Sequence, residues 1–247
     1  MESITSTLLD ISASLRPATT TVMCRQHPDF ALADCYGCKA EERSRQDRIN
    51  AEMKADALTE AERRMTERFP ARYRDARADI TAVVEWTELF GEQAETPNPG
   101  LLLLGATGVG KTWQAYGALR AIVSNPVRNR AGYRPRSFQA MTYADMCASL
   151  RPRPKVDTEE VMKAMRTTEI LLIDDLAAAK GSDWVEEVTY RLINGRYEDM
   201  KPTIFTTNLT VPQLRDSIGD RIASRLAENC TRVALKGDDR RRAPKEA

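Results

Sequence analysis

The chain has 247 residues, 42% hydrophobic and 30% charged, with a formal net charge of +1 and a mean hydropathy of -0.49. That composition fits a globular protein with one full-sized core and a small appendage. It excludes a membrane-spanning helix, because the longest apolar runs, Leu101 to Leu104 and Ile170 to Ile173, fall far short of the roughly 20 residues such a helix needs.

Met1-Glu2-Ser3 opens without the basic and apolar regions of a secretory signal, which points to the cytoplasm. Up to Thr21 only Leu8, Leu9, Ile11 and Leu15 are patterned, as a short helix or a disordered lead. Next come Cys24, His27, Cys35 and Cys38, two closely spaced pairs that use the single histidine of the chain. Three thiolates and one imidazole are a tetrahedral zinc set with no open position, hence a structural site for a segment too small to hold its own core. Free cysteines or a redox pair are the alternative, because the seven-residue gap lies outside the commonest finger spacings. From Lys39 to Glu67 the chain is dense in Glu, Arg, Lys, Ala and Gln without Gly or Pro, which reads as a solvent-facing connector helix. Three parts are expected: a zinc-binding module over 1–40, a charged helical linker over 41–68 and a main domain over 69–247.

Within that domain, Ile80 to Phe90 has helical apolar spacing, broken by Pro97-Asn98-Pro99-Gly100. Five short apolar segments then alternate with helical patterns: Leu101–Gly105, Ser137–Thr142, Ile170–Asp174, Thr203–Thr207 and Thr231–Leu235. Alternation of this kind predicts an α/β fold, a parallel five-stranded sheet between helices.

The strongest motif is Gly105-Ala106-Thr107-Gly108-Val109-Gly110-Lys111-Thr112, a phosphate-binding loop set between a strand and a helix. Its N–H groups and the positive end of the following helix favour an anion, Lys111 is placed for the β- and γ-phosphates of ATP, and Thr112 for Mg2+. The strand Ile170–Asp174 delivers Asp174 and Asp175 to the edge of the sheet where α/β proteins bind ligands. Asp174 is expected to hold the magnesium through water, and Asp175 to polarise the attacking water. Asn208 ends the next strand as a candidate γ-phosphate sensor, although Asn is also a common helix cap. Arg221 and Arg225 fall one helical turn apart, as surface ion-pair partners or as a face that reaches a neighbouring subunit's γ-phosphate.

Together the motifs around Lys111, Asp174, Asn208 and Arg225 resemble the AAA+ ATPases, specifically the DnaC/DnaI helicase-loader branch and the related IstB transposition helpers. The resemblance covers about Phe69 to Arg242 and extends to Arg68-Phe69-Pro70-Ala71-Arg72-Tyr73, Asp174-Asp175-Leu176 and Gly219-Asp220-Arg221. It implies an ATP-dependent homo-oligomer, a hexameric ring or spiral, that binds a replicative helicase of the DnaB family and single-stranded DNA. It further implies a second sensor arginine at Arg241, and DNA-lining helices at Tyr143–Leu150 and Thr158–Thr167, where Lys155, Lys163 and Arg166 are candidate phosphate contacts or, the commoner role of such residues, solvated surface. Two departures follow: Asp175 stands where most AAA+ enzymes have Glu, implying slow turnover, and too few residues follow Thr231 for a helical lid, which is reduced or absent. Two rival functions remain, a transposase helper acting on duplex DNA and a nucleotide-gated adaptor that sequesters the helicase with little turnover.

Overall fold

A computed structural model describes residues 23–28, 31, 35–91, 100–178 and 182–239. The chain divides into two compact units, Met1–Ala51 and Glu52–Ala247. In the first, an antiparallel bridge between Met23 and Ala31 precedes helix α1 (Tyr36–Arg68). The division therefore falls inside α1, not at its two ends as the composition suggested.

The connector reading holds for only part of that helix. Ion pairs of Arg45 with Glu42, and of Arg63 and Arg64 with Glu60, stud its surface at i,i+3 and i,i+4 spacing. In its C-terminal half, however, Ala57, Ala61 and Met65 are buried at four-residue intervals, and Ala61 and Met65 join the main core. Alanine reads in sequence as a helix former; here its small side chain lets the helix pack closely, and the apolar stripe is hidden in the composition. Phe69 continues the stripe, meeting Tyr116 and Phe138 edge-on.

The second unit is built on five parallel strands, β1 (Gly100–Leu104), β4 (Phe138–Thr142), β5 (Ile170–Asp174), β6 (Thr203–Thr207) and β7 (Cys230–Ala234), in the spatial order β4-β5-β6-β1-β7. All five expected strands are present within a residue of their predicted bounds. Strand parity sorts the core into two layers. Leu101, Leu103, Ile170, Leu172 and Ile204 point to one face, with α2 (Thr81–Glu88) and α3 (Lys111–Val123). Leu102, Leu104, Leu171, Ile173 and Phe205 point to the other, covered by α4 (Tyr143–Leu150), α5 (Thr158–Thr167), α6 (Asp183–Glu198), α7 (Val211–Ile218) and α8 (Asp220–Asn229). Nearly continuous apolar strands such as Leu101–Leu104 are what a sheet covered on both faces requires.

A hairpin that the sequence pattern did not announce, β2 (Val127–Asn129) with β3 (Gly132–Arg134), lies between α3 and β4. The Asn129 side chain accepts the Ala131 N–H across its turn. On α6 the fully buried Arg196 donates to the carbonyls of Met165, Arg166, Thr168 and Pro202 at 2.7–3.1 Å and to Thr203 Oγ1 at 2.7 Å. One guanidinium thus ties the end of α5 to the entries of β5 and β6, and burial pushes its pKa down to about 9.

Candidate functional site

The order of strands places β6 between β1, which feeds the phosphate-binding loop, and β5, which ends in the two acids. All three strands therefore deliver their C-terminal ends to one edge of the sheet. Gly110 ends the loop at φ 101°, in the left-handed region, immediately before Lys111 begins α3. A residue with a β-carbon would be strained there, and the turn directs the free N–H groups of the helix start toward an anion. Lys111 is buried, its ammonium donating to the Ala106 carbonyl at 2.9 Å. Val109 anchors the loop in the core, while Thr107, Gly108 and Gly110 face a cavity of about 350 Å³.

Lys111, Thr112, Asp175 and Asn208 line the same cavity. The Thr112 hydroxyl donates to Asp174 Oδ1 at 3.0 Å and lies 3.2 Å from Oδ2, joining the loop to the acidic strand. Asp174 is buried; burial raises its pKa above the ordinary carboxylate value, opposed by hydrogen bonds from Thr206 and Thr112. Asp175 adopts φ 54° and so turns the chain sharply after the strand. A hydroxyl beside a carboxylate at the phosphate loop is the oxygen donor set that Mg2+ takes with a nucleotide, so these residues fit the ion.

Several wall residues had no assigned role. Arg72 and Tyr73, from a short 3₁₀ turn (Ala71–Tyr73), and Trp113 complete the cavity. Tyr73 stacks flat on Tyr116 at 4.8 Å. Arg72 and Tyr73 lay in the lead-in segment that resembles the loaders, but only the fold brings them over the loop. Gln114, fully buried, accepts the N–H groups of Asp79 and Ile80 and ties the segment just before α2 to α3.

The arginines fall elsewhere. In α8, Ile222 and Leu226 enter the core, and Arg221 and Arg225 form the adjoining stripe. Neither is among the residues that line the cavity. Arg225 lies 4.4 Å over the Tyr197 ring and 3.6 Å from Glu228, which also accepts the Tyr197 hydroxyl. Arg241 lies outside the described residues. Of the residues named as DNA contacts, Arg166 is paired with Asp199 at 3.3 Å.

In the first unit Cys24, His27, Cys35 and Cys38 converge, with their ligand atoms all within 4.8 Å of one another. Cys24 Sγ lies 3.2 Å from Cys38 Sγ, and His27 Nδ1 lies 3.3, 3.7 and 3.8 Å from Cys35, Cys38 and Cys24. Zinc–sulfur and zinc–nitrogen bonds of tetrahedral geometry require ligand separations of about 3.5–3.8 Å; the separations here bracket that range, and the donor set is compatible with the ion. The hydrogen bond between Cys24 and Cys38 lowers the first thiol and raises the second, so the two sulfurs share a proton in the absence of metal. Gly37 carries a signal that sequence reasoning passed over: a β-carbon there would stand 2.7 Å from the His27 ring, so this residue between two ligands must be small.

Fold and site together define a P-loop ATP-binding protein of the AAA+ type. The chain belongs to the family of IstB-like ATP binding proteins, which it matches over residues 39–247. It is 27% identical over 162 residues to the uncharacterized protein YqaM of Bacillus subtilis (strain 168), covering 63% of this chain and 49% of that one. It is 26% identical over 117 residues to the replicative helicase loader DnaI of the same organism, covering 47% of this chain and 35% of that protein. The chain thus spans half or less of the length of these curated relatives. The crystal structure of the DnaC helicase loader superposes with a TM-score of 0.55 at 23% identity, covering 68% of this chain and all of the other, a likeness of fold.

Proposed function

We propose that this protein is an ATP-dependent loader that places a replicative DNA helicase on single-stranded DNA. The observation that carries the reading is the combination of a phosphate-loop cavity in Glu52–Ala247 with a Cys3His cluster in Met1–Ala51. The first supplies a switch, the second a rigid handle for a partner. Lys111 and the loop N–H groups bind the phosphates of ATP, and Thr112 and Asp174 hold Mg2+. The ion, when bound, neutralises charge on the β- and γ-phosphates. Asp175 accepts a proton from the attacking water, and Asn208 orients that water against the γ-phosphate. Zn2+ on Cys24, His27, Cys35 and Cys38 stabilises the first unit. Arg225, pre-oriented by Tyr197 and Glu228, completes the site of the next subunit in a ring or spiral, and Arg241 senses nucleotide from the C-terminal segment. ATP binding raises affinity for partner and DNA, and slow hydrolysis resets it. The protein works in the cytoplasm.

A second reading, which rests on the resemblance to the IstB transposition helpers, is a transposase helper that assembles on duplex DNA. Light scattering of the full-length protein with the helicase from the same source, in ATP and in ADP, separates the two. A nucleotide-dependent complex that disappears when residues 24–38 are deleted supports the loader. Absence of any complex, with cooperative ATP-dependent binding to duplex rather than single-stranded DNA, supports the transposase helper instead. A helicase complex formed with Asp175→Asn as readily reset as with wild type indicates the low-turnover adaptor.

A further inference from the structure

The main-chain ladder between β5 and β6 ends at Ile173 opposite Phe205. Beyond it the two strands remain joined, and every link runs through Thr206 or its neighbour. Thr206 is fully buried. Its hydroxyl donates to Asp174 Oδ1 at 2.6 Å and accepts the Asp175 N–H at 2.9 Å, while its carbonyl accepts the Leu176 N–H at 2.8 Å. Thr207 Oγ1 closes the turn by donating to the Leu176 carbonyl at 3.0 Å.

A threonine hydroxyl has one proton to give. Here it goes to Asp174, and the Asp175 N–H occupies a lone pair, so both directions of the bond are used on the acidic turn. Thr112 is bound differently. Its hydroxyl also donates to Asp174, but its oxygen is the one placed for Mg2+, whereas Thr206 has no ligand to serve and its bonds persist. Asp175 holds a left-handed backbone that residues with side chains disfavour, and the Thr206 hydroxyl is what its N–H meets there. Two residues further along the same strand, Asn208 reaches the cavity.

We propose that Thr206 is a positioning residue for ATP hydrolysis, its hydroxyl fixing the Asp174 carboxylate for magnesium and, through the Asp175 main-chain N–H, the turn that presents Asp175 to the attacking water. The proposal rests on the roles given above to those two acids. It separates Thr206 from buried threonines that bond away from the site, such as Thr189 on α6, whose hydroxyl donates to the Val185 carbonyl one turn back and meets the Tyr143 hydroxyl.

The test compares Thr206→Val, which keeps the shape and removes the hydroxyl, with Thr206→Ser, which keeps the hydroxyl and removes the methyl group. Two readouts are taken: steady-state hydrolysis against Mg2+ concentration, and binding of a fluorescent ATP analogue with and without Mg2+. In Thr206→Val, kcat falls and the Mg2+ requirement rises by about 10- to 100-fold, the usual cost of losing a group that orients a metal ligand. Metal-free nucleotide binding stays within about twofold of wild type, because the phosphate loop is untouched. Thr206→Ser restores both. Wild-type kcat and Mg2+ dependence in Thr206→Val overturn the proposal, and so does a Thr206→Ser protein as impaired as the valine variant, which would place the effect in the methyl packing. Should valine prevent folding, Thr206→Ala against Thr206→Ser asks the same question. A wild-type protein without Mg2+-dependent hydrolysis refutes the ATPase reading itself, and the Mg2+ effect on nucleotide binding then decides about Thr206 separately.

Discussion

Replacing Arg196 with methionine tests whether one buried guanidinium holds the sheet edge together. Its six hydrogen bonds of 2.7–3.5 Å reach five carbonyls and one hydroxyl, without a carboxylate among them. Three of the acceptors share the two N–H groups of Nη1, so the bonds do not add, and what decides the loss is how many buried carbonyls are left without a donor, at about 1–3 kcal/mol each. Burying the cation costs several kcal/mol, which methionine no longer incurs, and its chain fills most of the same volume. The remainder is a net loss of about 3–5 kcal/mol, because carbonyls at the end of α5 and before β6 are left in the core without a donor. The assay is urea unfolding followed by tryptophan fluorescence. Trp86, Trp113 and Trp184 all lie within Glu52–Ala247, so the signal reports that unit. With a slope of about 2 kcal/mol per molar urea, the midpoint falls by about 2 M. Arg196→Lys retains the charge but, with three donors on one atom, cannot span the six acceptors; it falls between the two. A methionine variant within about 1 kcal/mol of wild type would refute the reasoning, showing that the desolvation cost cancels the bonds.

Asp174→Asn separates stability from function. Burial raises the folded-state pKa of Asp174 above its unfolded value, so its contribution to stability is present at low pH and lost as pH rises through the folded pKa. The variant is therefore more stable than wild type at pH 7, the gain shrinks toward pH 4, and Mg2+-dependent hydrolysis is lost; equal unfolding midpoints at pH 7 would contradict this. Arg225→Ala binds ATP normally but hydrolyses it about 10³-fold more slowly, the usual scale for an arginine supplied between subunits; unchanged turnover sinks that role. Cys35→Ser removes zinc from the purified protein, measured by chelator release, without moving the tryptophan unfolding curve. Gly37→Ala weakens zinc binding by about 10- to 100-fold by displacing the His27 ring, and retention of wild-type affinity would show that the ring has room.

Local pattern determined most of this protein. A strand buried on both faces must be apolar throughout, so Leu101–Leu104 and Ile170–Ile173 announced themselves, and each ended in a motif whose chemistry depends on adjacent residues in the chain. Gly110, Lys111 and Thr112 are neighbours in sequence, as are Asp174 and Asp175, and the four metal-type residues lie within fifteen positions. Contacts between distant segments were decided only by the tertiary structure. Ala57 and Ala61 read as helix formers until packing showed them in the core. Arg72 and Tyr73 reach the nucleotide cavity because the fold lays their turn against α3, where Tyr73 stacks on Tyr116. Thr206, an ordinary strand residue by composition, gained its role because β6 lies beside β5, a pairing between segments some thirty residues apart. Periodicity records which face a side chain takes; which strand lies alongside is set by how the helices close over the sheet, and no short stretch of sequence contains that.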